Sequence, residues 1–343
     1  MPVLNVAVLG TESLLRSLGK ISDSRDVESY VHKEGEGAER RILSMIRPLK
    51  HPESLRPLLS TLNVAESGII EVGEINAAIG EAMVAFSSSK VENGHIIINP
   101  KDGDWIDPEK LSLIRNQAGL ESWKIHDSLP DPHDIRSDLL SRVGNDNAGE
   151  EVLVSIDQHF VVRGIGLVGI GYVRSGIIRK HESVEIYPGG HVGVVRSLQV
   201  MDDDVEFAVT GDRVGVALRG VQDNILDKGS QIVSVGAKLL TRMEKSEIKV
   251  DISVFQRNVL NVGDVVHMSC DLQFIVGRIG SVSEDSMVVV WDRPVDVRTS
   301  SKKPPLLVQL DAGPMRIIGA ITCLLYTSPS PRDATLSRMP SSA

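Results

Sequence analysis

The feature that most constrains the fold is a change of sequence pattern near residue 150. Before it, apolar strand-like runs alternate with helical patterns; the runs lie at 4–9, 41–46, 67–72 and 94–98, and the helical patterns lie near 52–64, 76–89 and 107–118. Strand–helix alternation at this spacing predicts βαβ units and a mainly parallel sheet. The polar stretch 19–40 is predicted to be a loop or an irregular crossing.

After residue 150, valine, isoleucine and glycine dominate, and turn signals such as Arg163-Gly164 and Thr210-Gly211-Asp212 recur. This pattern is typical of a small antiparallel barrel, and a second all-β stretch follows at 246–321. We predict an α/β domain followed by two antiparallel β-barrels. Domain 1 is predicted over 1–128, and the two barrels over 151–240 and 245–322. The linker between domain 1 and the first barrel, 129–150, is predicted to contain a short helix near 134–142.

Composition narrows the class of protein. The chain has 343 residues, enough for two or three domains, and a net charge of −9, which gives no strong field for binding polyanions. Its two cysteines, Cys270 and Cys323, fit neither a disulfide framework nor a zinc site, and Cys270 is predicted to lie in the core. The histidines lack metal-ligand spacing. With no signal peptide and no long apolar run, we expect a cytoplasmic protein without membrane contact.

The last 21 residues, 323–343, differ from the rest of the chain. They read CLLYTSPSPRDATLSRMPSSA, show no apolar period, and resemble a translated sequencing adapter. We interpret them as a non-native tail and exclude them from fold reasoning. The alternative is a natural disordered tail.

The first strand leads into an altered phosphate-binding loop. Gly10 follows the strand and a helical pattern follows Gly10, which is the layout of the motif G-x-x-x-x-G-K-[ST]. That motif would place glycine, lysine and a hydroxyl where this chain has Leu15, Arg16 and Ser17. The loop requires glycine because its N–H groups converge on phosphate in conformations that a side chain forbids. We predict that this loop has lost phosphate binding.

Two further GTPase motifs are altered after later strands. The magnesium-binding D-x-x-G becomes Arg47-Pro48-Leu49-Lys50, which puts positive charge where a cation would bind. The guanine-reading N-K-x-D becomes 99–102, in which Asn99 and Asp102 keep the spacing and proline replaces lysine. No threonine between positions 11 and 61 can serve as a switch residue. Each match is weak alone, but their shared order on successive strands indicates ancestry.

The first barrel carries a dense motif match. The pattern D-x-x-F-x-[VI]-x-G-x-G-x-V-x-x-G-x-V-x-x-G is matched within 157–176, and V-R-S-[IL]-Q and A-x-x-G-D-R-V-G recur at 195–199 and 208–215. This region resembles domain 2 of the elongation factor Tu, elongation factor 1-alpha and selenocysteine-specific elongation factor superfamily. The chain as a whole resembles an archaeal-type member with a degenerate G domain.

The resemblance implies sites and partners. In the translational GTPases a histidine follows the D-x-x-G glycine, so His51 is a vestigial catalytic candidate. The vestigial GTP-site candidates are Gly10, Arg16, Ser17, Asn99 and Asp102. In this family domain 2 holds the 3′ end of charged tRNA and docks on the ribosome, while domain 3 touches the acceptor and T stems. Partners would therefore be tRNA, the ribosome or both.

We predict a translation elongation factor-like protein that acts by binding, with GTP hydrolysis lost, no cofactor and no metal site. One alternative is an active translational GTPase with an atypical site for GTP and Mg²⁺. Another is a protein–protein adaptor that kept the scaffold. Within the barrel motif the glycines can simply serve turns, and Arg196, Asp212 and Arg213 can form a structural ion pair.

Overall fold

The computed structural model describes residues 2–37, 40–101, 104–144 and 151–326. The predicted non-native tail lies outside the described residues from position 327 onward. Its first four residues, 323–326, continue the last strand of the second barrel.

Domain 1 is built from alternating strands and helices. Its described elements, in chain order, are β1 (Val3–Leu9), α1 (Glu12–Leu18), β2 (Lys20–Ser24), β3 (Val27–Glu34), β4 (Arg41–Pro48), α2 (Arg56–Val64), β5 (Ser67–Val72), α3 (Ala77–Ser88), β6 (Asn93–Ile98), α4 (Pro108–Gln117), β7 (Lys124–His126) and α5 (Pro132–Ser141). They form one sheet of order β2-β3-β4-β1-β5-β6-β7. From β4 to β7 all neighbouring strands are parallel, as predicted.

The prediction of a loop over 19–40 is wrong. The antiparallel strands β2 and β3 occupy most of this stretch, and β3 pairs with β4. β2 lies at the sheet edge and is almost wholly exposed, while β3 buries only Ser29 and Tyr30. Edge strands tolerate charged side chains because they face solvent. The hairpin therefore lacks the apolar alternation by which strands are recognised.

Helices cover both faces of the sheet. Helices α2 and α3 share one apolar cluster with β5 and β6, and α1 and α5 share another with β1 and β4. The indole of Trp123 fits against the strands only because two neighbouring positions lack a side chain. A Cβ would lie 2.3 Å from that ring at Gly68 and 2.6 Å from it at Gly94.

The second domain is a closed six-stranded antiparallel ring with two short additions. Its described strands are β8 (Leu153–Val162), β9 (Gly166–Ser175), β10 (Ile177–Arg179), β11 (Ser183–Tyr187), β12 (His191–Val200), β13 (Asp203–Val205), β14 (Phe207–Val209), β15 (Arg213–Arg219) and β16 (Gln231–Ser234). The ring runs β11-β16-β8-β9-β15-β12 and closes through β12 and β11. Strand β13 extends β12, and β10 pairs with β14.

The third domain is also a closed antiparallel barrel. Its described strands are β17 (Leu240–Ile252), β18 (Val265–Cys270), β19 (Gln273–Val282), β20 (Met287–Arg298), β21 (Leu306–Val308) and β22 (Ile317–Tyr326), closed in the order β17-β20-β19-β18-β21-β22. Cys270 is buried in its core, as predicted. The predicted fold class, an α/β domain followed by two antiparallel barrels, is confirmed.

The domains contact one another through buried side chains. Leu306 and Ile317 of domain 3 belong to the same apolar cluster as α2 and α3 of domain 1. Domain 2 meets domain 1 where Asn5 Nδ2 donates to the carbonyl of Gly211 at 2.8 Å. No helix in the described part of the chain is long and apolar enough to span a membrane.

Candidate functional site

The altered motifs converge at one edge of the domain 1 sheet. Strands β4, β1, β5 and β6 are adjacent and parallel, so their carboxyl ends lie side by side. Gly10, Arg47 and Asn99, which come from three different strands of the sheet, meet there. Arg47 donates to the carbonyl of Gly10, and Glu71 near the end of β5 accepts from Asn99 and from Thr11, the residue after Gly10.

The segment between β1 and α1 is too short to form a phosphate loop. Thr11 directly follows Gly10 and caps α1, its hydroxyl oxygen accepting from the N–H of Leu14 at 3.3 Å. The helix begins at Glu12, so the residues that would form the loop are helical instead. Leu15, at the position of the second motif glycine, is fully buried in the core.

The carboxylate of Glu71 lies at the N-terminus of α1, where a phosphate-binding loop would hold its anion. Glu71 Oε2 accepts from the backbone N–H of Thr11 at 2.5 Å, and Oε1 accepts from Asn99 Nδ2 at 2.5 Å. Glu71 is only 8% exposed. A side chain at Gly10 would place its Cβ 3.0 Å from Glu71 Oε2. The glycine therefore leaves room for this carboxylate.

Sequence reasoning missed Glu71, although a signal was present. It is the one charged residue in the apolar strand run 67–72, whose residues are all buried. A charge inside a buried parallel strand requires partners, and Thr11 and Asn99 supply them.

Arg47 stands at the position of the magnesium-binding aspartate. Its Nε donates to the carbonyl of Gly10 at 2.9 Å, and Nη1 pairs with Glu28 Oε2 at 2.9 Å. Glu28 also accepts from the hydroxyl of Tyr30 at 3.2 Å. Burial, together with Glu28, raises the pKa of Tyr30. A guanidinium held this way would repel a divalent cation at the same place.

The remaining loop candidates do not join this network. Arg16 pairs with Glu12 on the exposed face of α1, with Nε and Oε1 2.6 Å apart. The hydroxyl of Ser17 donates to the carbonyl of Leu14 at 2.7 Å inside the helix. Asp102 lies outside the described residues, so its place as a vestigial GTP-site candidate stays a prediction.

His51 faces the junction of domains 1 and 3. Its side chain is 3% exposed, and Nε2 lies 3.9 Å from Glu81 Oε2 on α3. Glu81 in turn forms a two-pronged ion pair with Arg316 of domain 3, with contacts of 3.0 and 2.5 Å. Burial lowers the pKa of His51. Lys50, the residue before His51, has a left-handed backbone with φ of 63°, at the position where the family motif has glycine.

A second buried polar network connects α5 to the sheet. His95 Nε2 lies 3.1 Å from Asp138 Oδ2, and His95 Nδ1 lies 3.0 Å from His126 Nε2. A carboxylate can only accept, so His95 carries its proton on Nε2 and accepts from His126. Burial lowers the pKa of His95 to about 4. Sequence reasoning missed this pair because the two histidines are 31 positions apart.

Asp138 is the anionic end of that network. It also receives Lys124 Nζ and two nitrogens of Arg142, the latter at 3.0 and 2.8 Å. Burial acts to raise the pKa of Asp138, but the hydrogen bonds from Lys124 and Arg142 outweigh it and lower that pKa to about 2.

Three charged residues of the barrel motifs make contacts that support the fold. Arg196 donates to the carbonyls of Gly164 and Ile165, at 2.9 and 2.6 Å, and so supports the β8–β9 turn. Asp212 accepts from the N–H of Val209 at 2.8 Å, and Arg213 pairs with Asp23 of domain 1 at 3.0 Å. The alternative that Arg196, Asp212 and Arg213 form an ion pair with one another does not hold, since Arg213 pairs with Asp23 and Asp157 and Arg196 binds two carbonyls.

Among the described residues, no group of three or more His, Cys, Asp and Glu side chains could hold a metal ion. The expectation that the protein needs no cofactor stays a prediction.

Comparisons with known proteins agree with the motif match in domain 2. No protein-family model matches the chain. The selenocysteine-specific elongation factor of Methanocaldococcus jannaschii is 30% identical over 282 residues, which are 76% of this chain and 57% of that protein. Elongation factor 1-alpha of Methanocella arvoryzae is 35% identical over 80 residues, 22% of this chain and 19% of that factor. Over about three quarters of its length the chain is therefore similar to a member of the elongation factor Tu/elongation factor 1-alpha superfamily.

An uncharacterised protein of M. jannaschii is 27% identical over 288 residues, which are 84% of this chain and 89% of that protein. The chain thus spans nearly all of that relative but little more than half of the selenocysteine-specific factor.

Two solved elongation factors share the fold. Translation elongation factor SelB from Methanococcus maripaludis, in its apo form, has a TM-score of 0.76 at 17% identity and covers 96% of this chain and 81% of that one. A bacterial selenocysteine-specific factor has a TM-score of 0.73 at 18% identity and covers 94% and 58%. The M. maripaludis factor was also solved with the GTP analogue GPPNHP.

Proposed function

We propose that this elongation factor-like protein binds tRNA, the ribosome or both, and that it does not turn over GTP. The proposal that the protein does not turn over GTP rests on the Glu71 carboxylate, which accepts hydrogen bonds from the N–H of Thr11 and from Asn99 at the end of the sheet. Similarity to named translation factors supports the proposed binding to tRNA or the ribosome.

The charges at this edge oppose both parts of a magnesium nucleotide. A phosphate oxygen about 4 Å from the Glu71 carboxylate would be repelled by roughly 4 kcal/mol per unit charge at the effective dielectric of a protein surface. Moving Glu71 away would leave the donors of Thr11 and Asn99 without their acceptor. The Arg47 guanidinium, hydrogen-bonded to Gly10, disfavours Mg²⁺ beside the same loop.

The β8–β9 hairpin is the surface best suited to contact RNA. Phe160, Val161 and Ile165 are 40%, 53% and 41% exposed there, and Arg163 at the turn is exposed as well. Aromatic faces stack on unpaired bases, and arginine binds phosphate. Arg196 supports the turn through two carbonyls, so this surface is already in place without RNA.

Calorimetric titration with GTP and with GDP, each with Mg²⁺, tests the loss of nucleotide binding. We expect no heat of binding for either nucleotide, while an intact elongation factor of the superfamily binds under the same conditions. Micromolar, Mg²⁺-dependent GTP binding would instead support an active GTPase with an atypical site.

Filter binding of bulk tRNA and sedimentation with ribosomes, each over a series of salt concentrations, test the proposed binding to RNA. Arg163→Glu should weaken binding and lower the salt slope by about one, as expected for one lost phosphate contact. Lys110→Glu is the matched control, since Lys110 is an exposed cation on α4 of domain 1, outside both barrels. No binding to either RNA at low salt would favour the adaptor alternative.

A further inference from the structure

The turn between β18 and β19 enters the place where all three domains meet. Cys270 pairs with Gln273 across the hairpin, so the turn itself consists of Asp271 and Leu272. We call the segment Cys270–Gln273 the junction turn. Asp271 is 7% exposed and Leu272 3%. Turns between strands normally lie on the surface, so the burial of this one indicates that it serves the contact between domains.

Both central residues of the junction turn have a left-handed backbone. The φ angle is 43° at Asp271 and 65° at Leu272. Two-residue hairpin turns with positive φ at both positions usually contain Asn-Gly or Asp-Gly, because a Cβ disfavours the left-handed region. A leucine in the second position is therefore unfavourable for the hairpin alone, and contacts outside the hairpin must compensate for it.

The side chain of Leu272 makes such contacts. It packs in one buried apolar cluster with Ile46 and Val64 of domain 1 and Tyr172 of domain 2. Among the apolar clusters of the described residues, this is the one to which all three domains contribute. A leucine of domain 3 thus completes a small core between domains 1 and 2.

Backbone groups of the junction turn bind both neighbouring domains. The N–H of Leu272 donates to Asn63 Oδ1 of α2 in domain 1 at 2.8 Å. The carbonyl of Asp271 accepts from Gln231 Nε2 of β16 in domain 2, also at 2.8 Å. Asn63 and Gln231 are buried, and a hydrogen bond away from water is electrostatically stronger than one in water.

The carboxylate of Asp271 holds a second residue of domain 2. Arg298 of β20 pairs with it at 2.7 and 2.8 Å, and Arg174 Nε of β9 lies 3.6 Å from Oδ1. The side chain of Arg174 is 9% exposed. A buried guanidinium requires an opposite charge nearby, so Arg174 depends on a carboxylate that domain 3 supplies.

We propose that the junction turn fixes domain 2 relative to domains 1 and 3. Domains of one chain move relative to one another unless the contact between them is large and apolar. Here Asn63 and the shared apolar cluster hold the turn on domain 1, while Gln231 and Arg174 hold domain 2 on the turn. The β8–β9 hairpin belongs to domain 2, so its direction relative to the other domains is set at this turn. The proposal is independent of RNA binding and of the altered nucleotide loop.

Pulsed electron paramagnetic resonance on the full-length chain tests the proposal. Spin labels attached to ketone-bearing unnatural residues at Glu109 of domain 1 and Asp203 of domain 2 avoid both native cysteines, and both positions are exposed. We expect one narrow distance distribution for the otherwise unchanged protein. Leu272→Ala should broaden it and add distances outside the original range, because the contacts of the leucine with both domains are lost.

Ile275→Ala is the matched control, since Ile275 is an apolar residue of β19 that is buried within the core of domain 3. It should lower the melting temperature and leave the distance distribution narrow. Arg174→Met is a second variant, which leaves the turn intact, removes only the charge from domain 2 and should also broaden the distribution.

Circular dichroism establishes that each labelled variant is folded. A distribution that stays narrow in folded Leu272→Ala and in Arg174→Met would overturn the proposal. Equal broadening in Ile275→Ala would overturn it as well, because the motion would then follow from a weaker domain 3 and not from the junction turn.

Discussion

Glu71 gives a physical reason for the retention of Gly10 in a loop that has lost the rest of its motif. In a phosphate loop glycine makes room for phosphate. Here it makes room for a carboxylate, whose Oε2 would lie 3.0 Å from any Cβ at position 10. Two donors at this edge of the sheet, Thr11 N–H and Asn99 Nδ2, bind this internal anion.

Replacing Glu71 by glutamine should lower the free energy of unfolding by about 2 kcal/mol, because hydrogen bonds to charged groups contribute about 1.5–3 kcal/mol. The amide group would also direct its own N–H toward Thr11 or Asn99, both of which are donors. Urea denaturation measures the loss. Glu12→Gln is the control: its pair with Arg16 is exposed, and we expect a change below about 0.5 kcal/mol. An equally small effect at Glu71 would contradict the role given to it.

His95 should make stability depend on pH. In the unfolded chain this histidine gains a proton near pH 6.5, whereas the folded protein keeps it neutral down to about pH 4. The unfolded state therefore binds more protons between these values, and the free energy of unfolding falls as the pH drops through this window, by up to about 3 kcal/mol. Asp138 has a pKa of about 2 in the folded protein, so its protonation lowers the free energy of unfolding only as the pH falls from about 4 toward 2.

The check is the free energy of unfolding measured from pH 7.5 to 4 for the wild type and for His95→Gln, which cannot gain a proton. Other histidines titrate in both proteins, so the difference between the two curves isolates His95. Parallel curves would show that His95 is not the group responsible.

At the scale of single elements, helix α5 belongs physically to domain 1. Ile135, Leu139 and Leu140 are buried in the same cluster as the apolar side chains of α1. Asp138 on its other side binds His95 of the sheet. The sequence predicts a short helix near 134–142, and α5 confirms it, but nothing in its local pattern indicates which domain it joins.

Leu139→Ala should destabilise domain 1 by about 2–4 kcal/mol, since it removes a fully buried leucine and leaves a cavity. Urea denaturation measures the loss. Ser137→Ala is the control on the exposed face of α5, and we expect it to change stability by less than about 0.5 kcal/mol. If the two variants were alike, α5 would behave as a segment of an independent linker.

At the scale of the whole molecule, domain 1 is joined to domain 3 by a continuous apolar cluster and by the pair of Glu81 and Arg316. Glu81 is 2% exposed and Arg316 14%. Because both charges are withdrawn from water, each depends on the other for compensation. His51, the vestigial catalytic candidate, lies against this pair, so its surroundings are set by the domain contact.

Arg316→Met alone should lower the free energy of unfolding by about 3–5 kcal/mol, because it leaves Glu81 buried without its partner. The double variant Glu81→Leu/Arg316→Met removes both charges and should lose less than half as much. Denaturation of the wild type, of each single variant, Arg316→Met and Glu81→Leu, and of the double variant measures the coupling. Hydrogen exchange in α3 reports whether the domain contact loosens. A double variant as unstable as the sum of its parts would contradict the coupling.

The overall architecture could be predicted from sequence because its signals are local. Apolar runs of strand length, helical periods and recurrent glycine turns each lie within a few neighbouring residues. The hairpin of β2 and β3 was the exception, since edge strands carry polar side chains and hide that signal. The candidate site was predicted only in part: its strands and Gly10, Arg47 and Asn99 were found, but Glu71, which binds Asn99 and Thr11, was not.

By itself, the sequence determined the order of the three domains, the ancestry recorded in the barrel motif and the loss of the phosphate-loop residues. Only the tertiary structure decided what replaced them. Glu71 meets Thr11 across 60 positions, His95 meets His126 across 31, and Arg316 meets Glu81 across 235. Such contacts depend on strand register and domain packing, which bring distant charges into one low-dielectric environment, and no local pattern specifies them.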